Sequence, residues 1–144
     1  MEAELKSIID KLKVFKKDNQ YAVYKPLLLL VILDEIRSGG DNDFPFVRLY
    51  DKLTTLMNKY GWKTISRKKA EYPFHFLASS ILWETNINKA DLKTPRAPSK
   101  SEFQHAVGKV NHKVYDYLSE KKEIIPRLVA QIEQKFFASR HIQV

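Results

Sequence analysis

The sequence offers few residues that could carry out catalysis. Cysteine is absent and only four glycines occur, with no Gly-rich phosphate loop among them. His105 and His112 stand seven residues apart, not the four that place two metal ligands on one helical turn. Asp116, Glu120 and Lys122 could be sought as a nuclease set, but such charges are ordinary on the solvated face of a helix. We therefore expect a binding protein, not an enzyme, with no metal and no cofactor.

Positive charge is concentrated in two segments of the chain. The formal net charge is +8, yet residues 1–58 carry nine basic and nine acidic residues. Residues 59–70 hold five basic residues and no acid, whereas residues 88–113 hold six basic residues against two acids. Clustered cations of this kind favour a polyanionic partner, and nucleic acid is the first candidate. The cations that we expect to contact DNA backbone or bases are Lys63, Arg67, Lys68, Lys69, Lys89, Lys93, Arg96 and Lys100.

Apolar periodicity predicts a mainly α, compact single-domain helical fold. Helical spacing of apolar residues, proline at helix starts and glycine at helix ends place the helices. They are expected over residues 3–16, from Pro26 to Gly39, from Leu49 to Gly61, from Pro73 to about Ser79, around Val114–Leu118, and from Pro126 through Phe137.

The segments between these helices contribute loops and at most a short β element near residues 81–85. Residues 41–44 are expected to form a turn, and Lys63–Lys69 a basic loop that leads to Tyr72-Pro73. Residues 86–99 read as a long loop, followed by a possible capping box of Ser99 and Glu102. Arg96 is the best candidate in that loop for reading a base, because a guanidinium can donate two hydrogen bonds to guanine. The alternative is that Arg96 contacts only phosphate.

Nothing in the sequence indicates a membrane or a secreted protein. The most apolar run, Pro26–Leu33, is far shorter than the roughly 20 residues that a spanning helix needs. The sequence contains no signal-peptide pattern and no disulfide framework. We expect a cytoplasmic protein.

Two motifs stand out from this background: Tyr24-Lys25-Pro26 followed by a leucine run, and Tyr72-Pro73-Phe74-His75-Phe76 followed by Trp83. In order and spacing they resemble the sulfur-binding domain of McrA-like phosphorothioate-dependent restriction endonucleases. The closing residues Phe136 to Ile142 also resemble the end of that domain. The resemblance covers nearly the whole chain, so residues 1–144 are expected to form a single sulfur-binding domain without a nuclease domain.

The resemblance implies a specific site. The rings of Tyr72 and Pro73 would wall an apolar cavity that receives the sulfur, and Tyr24 and Lys25, just before Pro26, would close it from the other side. Tyr24 stands where the family commonly has a histidine. Phe76, one helical turn beyond Pro73, could complete the wall, while the adjacent His75 could face either the site or solvent.

A physical reason for such a site can be stated without the family. A phosphate oxygen is strongly hydrated, and burying it without a hydrogen-bond donor costs about 1–3 kcal/mol or more. Sulfur is a poorer acceptor and more polarisable, so it loses less hydration and gains dispersion contacts with rings and CH groups. An apolar pocket would therefore discriminate by desolvation.

The resemblance also implies partners. Phosphorothioate-modified double-stranded DNA would be the ligand, bound either by one copy of the chain or by a homodimer. A nuclease domain or subunit elsewhere would cut the DNA within a modification-dependent restriction system. Two alternatives stay open. The chain could be a helix-turn-helix-like DNA-binding domain that ignores sulfur, or a helical module whose basic segments meet an acidic protein surface.

Overall fold

The computed structural model describes residues 1–17, 20–61, 70–87 and 103–144. These residues contain six α-helices, a two-stranded hairpin and a three-stranded sheet. The helices are α1 (Glu2–Asp10), α2 (Tyr24–Arg37), α3 (Phe46–Tyr60), α4 (Glu71–Phe76), α5 (His112–Glu120) and α6 (Ile125–Phe136). Short 3-10 turns follow α4 (Leu77–Ser79) and precede α6 (Lys122–Ile124). The strands are β1 (Lys16–Lys17), β2 (Gln20–Tyr21), β3 (Phe44–Pro45), β4 (Trp83–Thr85) and β5 (Val107–Val110).

Helix α2 is the central element of the fold. Every residue from Pro26 to Leu33 is buried, and the helix packs against α3, α4, α5 and α6. Pro26 lies in the first turn, where its missing N–H removes no helical hydrogen bond. A leucine-rich segment that is apolar on all sides can be helical and buried only when other elements surround it. The predicted mainly helical fold and this buried helix are confirmed.

The first helix is shorter than its apolar periodicity predicts. It ends at Asp10 instead of residue 16, and the chain from Leu12 to Phe15 has no regular secondary structure. Two carbonyl groups in this segment accept hydrogen bonds from outside it. Lys25 Nζ donates to the Lys13 oxygen at 2.7 Å, and the Ala22 amide donates to the Phe15 oxygen at 2.7 Å. Tertiary hydrogen bonds therefore override a helical pattern of moderate strength.

The sheet extends beyond the short strand expected near residues 81–85. Strand β4 lies there as predicted, and both β4 and β3 pair antiparallel with β5, in the order β3-β5-β4. The turn predicted for residues 41–44 is wrong at Phe44, which pairs with Gly108. Helix α3 consequently begins at Phe46, directly after the extended Pro45, and not near Leu49. Each strand is too short to show a reliable period of two.

Trp83 joins the sheet to α4. Its indole Nε1 donates to the Phe74 carbonyl oxygen at 2.8 Å, and its ring packs edge-on against Phe74 at 5.5 Å. The ring also lies directly over Gly108, because a Cβ atom there would stand 1.9 Å from Trp83 Cζ2. The absence of a side chain at Gly108 thus fixes the indole, and the indole fixes α4.

An exposed ion pair joins helix α1 to helix α6. Arg127 on α6 donates from Nε and Nη2 to the two carboxylate oxygens of Glu2 at 2.9 and 2.8 Å. These hydrogen bonds, with a further one from Lys6, lower the pKa of Glu2 to about 2. Helix α1 is therefore held on α6 while the following segment runs toward α2 and α4. No helix within the described ranges is long and apolar enough to cross a bilayer.

Gly108→Ala should destabilise the fold by about 1–3 kcal/mol, the usual cost of overpacking a core. The new Cβ atom would force the Trp83 ring to move. Urea denaturation should show a lower midpoint with an unchanged m-value. In a Trp83→Leu background most of this cost should disappear; an undiminished cost there would contradict the proposed clash.

Candidate functional site

Helix α4 presents aromatic residues on one face. Tyr72 and Phe76 stand four positions apart, which makes them neighbours on a helix surface. Their rings are stacked, with centroids 5.9 Å apart and planes inclined by 13°. Phe74 points the other way into the core, where its ring meets Phe46 at 5.1 Å. Burial of Phe74 and the Trp83 hydrogen bond together decide which face of this short helix looks outward.

The outward face of α4 borders a cavity of about 210 Å³, which we call the α4 cavity. Its walls come from α4, from the first turn of α2, from residues 13–15 and from Ala22. The predicted residues that line it are Tyr24, Lys25, Tyr72, Pro73 and Phe76. The remaining lining residues are Lys13, Val14, Phe15 and Ala22. Five residues chosen from two motifs about fifty positions apart are thus brought around one space.

Lys25 supplies a partly buried cation in this largely apolar site. Its Nζ donates to the Lys13 carbonyl oxygen at 2.7 Å and to Ser79 Oγ at 3.4 Å. Burial lowers the pKa of the Lys25 ammonium below its ordinary value, and the nearby charge of Lys13 adds to this shift. An anion in the cavity would offset both effects.

Tyr24 lines the α4 cavity and also packs against the end of α3. A Cβ atom at Gly61 would lie only 2.6 Å from Tyr24 Cε1. The glycine that ends α3 therefore also makes room for the tyrosine ring. A histidine side chain, which the family commonly has here, is shorter and would not reach as far over Gly61.

Two predicted residues lie behind the cavity wall. Pro26 is buried in α2 and His75 is buried in α4, and neither belongs to the lining. His75 is 1% exposed, so it does not face solvent. Its ring packs edge-on against Phe76 with centroids 4.7 Å apart, and neither ring nitrogen has a hydrogen-bond partner among the described residues. His75 thus backs the ring that forms the wall.

All of the cations predicted to contact DNA lie outside the described residues: Lys63, Arg67, Lys68, Lys69, Lys89, Lys93, Arg96 and Lys100. The same holds for Ser99 and Glu102. Their contribution remains a prediction from the sequence. Among the described residues, no group of three or more His, Asp or Glu side chains could hold a metal ion.

The sequence reasoning missed the segment that follows α1. Lys13, Val14 and Phe15 line the α4 cavity, and Phe15 is 67% exposed. A signal was present, because residues 11–17 contain four lysines and no acid. This local excess of lysine was hidden because net charge was counted over all of residues 1–58, where nine acidic residues balance nine basic ones. The helix predicted over residues 3–16 also concealed it, since lysines between apolar residues are ordinary on an amphipathic helix.

Comparison with known proteins identifies the family. The model of the ScoMcrA-like DNA sulfur-binding domain matches residues 2–143, so the chain belongs to this family and the resemblance of the two motifs is confirmed. A search of curated proteins finds no significant match.

Solved structures show the same fold. The sulfur-binding domain of ScoMcrA complexed with phosphorothioated DNA superposes with a TM-score of 0.79 at 18% identity, over 92% of this chain and 87% of that one. The sulfur-binding domain of SprMcrA complexed with phosphorothioated DNA gives 0.74 at 18% identity, over 95% and 86%. A structure of the sulfur-binding and SRA domains of ScoMcrA, also with phosphorothioated DNA, gives 0.77 at 18% identity, over 92% and 42%.

Lys25→Met should reveal the cost of the buried cation through pH. Folding lowers the pKa of the Lys25 ammonium below its ordinary value of 10.5. At any pH between the lowered pKa and 10.5, the unfolded chain therefore binds more protons than the folded chain. The free energy of unfolding of wild type consequently rises with pH over this interval. The free energy of unfolding of Lys25→Met minus that of wild type should therefore fall between pH 7 and pH 10.5.

Urea titrations at both pH values would measure this difference. Lys121→Met, at an exposed lysine outside the cavity, is the matched control. A difference for Lys25→Met that is the same at both pH values would show that the cation is not destabilised by burial.

Proposed function

We propose that the protein binds phosphorothioate-modified double-stranded DNA and that the α4 cavity receives the sulfur. The observation that carries this proposal is the stacked Tyr72–Phe76 pair, which lines one cavity together with Pro73 and Lys25. Membership of the sulfur-binding family supports it, as do the structurally similar domains complexed with phosphorothioated DNA.

The walls of the cavity favour sulfur over oxygen. The ring faces of Tyr72 and Phe76 and the ring of Pro73 present carbon and hydrogen, which offer a phosphate oxygen no strong hydrogen bond. An oxygen placed against these faces, away from the Lys25 ammonium and the Tyr72 hydroxyl, loses hydration worth about 1–3 kcal/mol without replacement. A sulfur atom loses less and gains about 0.1–0.2 kcal/mol for each ring atom that it contacts. Proline and stacked aromatic rings lose little side-chain freedom on binding, so this gain is retained.

Lys25 would interact with the negative charge that phosphate and phosphorothioate groups both carry. An ammonium has three donors, and two of them point to Lys13 and Ser79. The third can be donated to the remaining non-bridging oxygen of the bound group. Lys25 then contributes to affinity for any phosphate, while the rings supply the preference for sulfur.

The basic segments outside the described residues complete this proposal. Lys63 to Lys69 would contact backbone phosphates, and residues 88–100 would reach a groove, with Arg96 reading guanine or holding phosphate. The chain would bind without cutting, and a nuclease domain or subunit would cleave DNA in a modification-dependent restriction system.

The wild-type protein should bind a duplex with one phosphorothioate at least about tenfold more tightly than the same duplex without it, since 1.4 kcal/mol of oxygen desolvation corresponds to tenfold. Fluorescence anisotropy at constant salt would measure both Kd values, with the two sulfur diastereomers tested separately. Equal affinity for every duplex would contradict the sulfur proposal and favour a general DNA binder. No binding at low salt would favour the protein-interaction module.

Pro73→Ala should reduce the preference for sulfur about 1.4- to 2-fold, because the side chain loses Cγ and Cδ, and the contact of each atom with sulfur contributes about 0.1–0.2 kcal/mol. Affinity for the unmodified duplex should change little. Pro126→Ala is the matched control, since Pro126 also lies in the first turn of a helix but is outside the cavity. If Pro73→Ala kept the full preference while remaining folded by circular dichroism, Pro73 would not contact the sulfur.

A further inference from the structure

A second cavity lies beside the α4 cavity and shares a wall with it. Its volume is about 220 Å³, and Lys13 lines both spaces. The boundary also contains Ser79, which lines the second cavity and holds the Lys25 ammonium of the first. We call this space the serine cavity. None of the residues that the sequence analysis assigned to the sulfur site lines the serine cavity.

We propose that the serine cavity binds the ordinary phosphodiester and deoxyribose next to the modified phosphate. This inference rests on the proposed function only in taking DNA as the ligand of this face. It assigns a role to a cavity that the sulfur does not occupy. The chemistry of its wall differs from that of the α4 cavity and suits a nucleotide with an unmodified phosphate.

The hydroxyl groups of this cavity are arranged as donors. A serine hydroxyl has one donor and two acceptor sites. Ser79 Oγ accepts from Lys25 Nζ at 3.4 Å, and Ser80 Oγ accepts from the Leu82 amide at 3.2 Å. Each serine oxygen thus already accepts a hydrogen bond from a protein group, and its O–H remains able to donate a hydrogen bond to an anion. Phosphate oxygens accept such hydrogen bonds, and serine is a common DNA-backbone contact.

Two lysines supply the charge. Lys11 and Lys13 line the serine cavity, and both side chains are exposed. The acid nearest in sequence, Asp10, is engaged on α6, where its Oδ1 accepts from Gln131 at 3.0 Å and lies 3.9 Å from Lys135. Among the residues that line this cavity none is acidic. A phosphate there would meet positive charge without a competing carboxylate in the wall.

The remaining wall is apolar and suits a sugar. Ile8, Leu12 and Ile81 complete the lining, and Ile81 is 74% exposed. The exposed Ile81 side chain adds apolar surface to the cavity beside its lysines and serines. The CH face of a deoxyribose can cover it. The two neighbouring cavities thus form one site for sulfur and one for oxygen, with Lys25 and Lys13 between them.

The test uses Lys11, which lines the serine cavity but not the α4 cavity. Each phosphate contact changes the slope of log K against log salt by about 0.9 for B-DNA. Lys11→Gln should therefore make this negative slope shallower by about 0.9. The ratio of the variant's Kd to the wild-type Kd should then shrink roughly 3.5-fold between 50 and 200 mM salt. This effect should be the same for modified and unmodified duplexes, and Lys11→Arg should restore the slope.

Ile81→Ala should give a complementary result. The variant should weaken both duplexes a few-fold without changing the salt slope, because it removes a sugar contact and no charge. Lys121→Gln and Val47→Ala are the matched controls, since both residues are exposed and line neither cavity. Circular dichroism melting would establish that every variant is folded.

The outcomes separate this inference from the proposed function. If wild type prefers sulfur but Lys11→Gln keeps the wild-type slope, the serine cavity does not bind phosphate and the sulfur proposal stands. If wild type ignores sulfur but the slope still falls, the serine cavity binds DNA and the sulfur proposal fails. A Lys11→Gln variant that loses the sulfur preference would place Lys11 at the sulfur and overturn the separate role inferred here.

Discussion

The arrangement of the site depends on the partly buried ammonium of Lys25. A cation that is withdrawn from water must find hydrogen-bond acceptors, and this one uses the Lys13 carbonyl and Ser79 Oγ. Those two acceptors belong to the segment after α1 and to the turn after α4, while Lys25 itself begins α2. One charged group therefore joins three parts of the chain that are far apart in sequence. Both cavities lie at this junction, where burial lowers the pKa of the Lys25 ammonium.

Under the proposed function, selectivity and affinity would be supplied by different residues. The ring faces would penalise a hydrated oxygen, whereas the Lys25 ammonium would attract any phosphate. This penalty requires rings in a fixed position, because a mobile wall would let water hydrate the oxygen. Their position is held indirectly, since Gly108 admits the Trp83 indole and the indole donates to the Phe74 carbonyl. The three-stranded sheet, small as it is, therefore contributes to the site by orienting α4.

The long helices were predictable because their determinants are local. Pro26 and Gly39 bracket α2, Gly61 ends α3, and Pro126 lies in the first turn of α6, so propensity and end signals agree with the structure there. The prediction failed where tertiary contacts compete with local pattern. Residues 11–15 have helical periodicity, but their carbonyls bond to Lys25 and Ala22. Strand β5 was missed because four residues around Gly108 carry little local signal, and pairing with β3 and β4 defines the strand.

Residue types and spacings suffice to predict the mainly helical fold and the buried α2, and they contain the two motifs whose likeness led to the sulfur-binding family. Residue types and spacings act over a few positions along the chain. Packing between distant parts of the chain is what puts Tyr24 against Gly61, places His75 behind the wall, and brings Phe15 and Lys13 to the α4 cavity. The direction in which a side chain points on a short helix or an irregular segment depends on what packs behind it. Here that is Trp83 and Phe74 behind α4, and Lys25 behind the segment that follows α1.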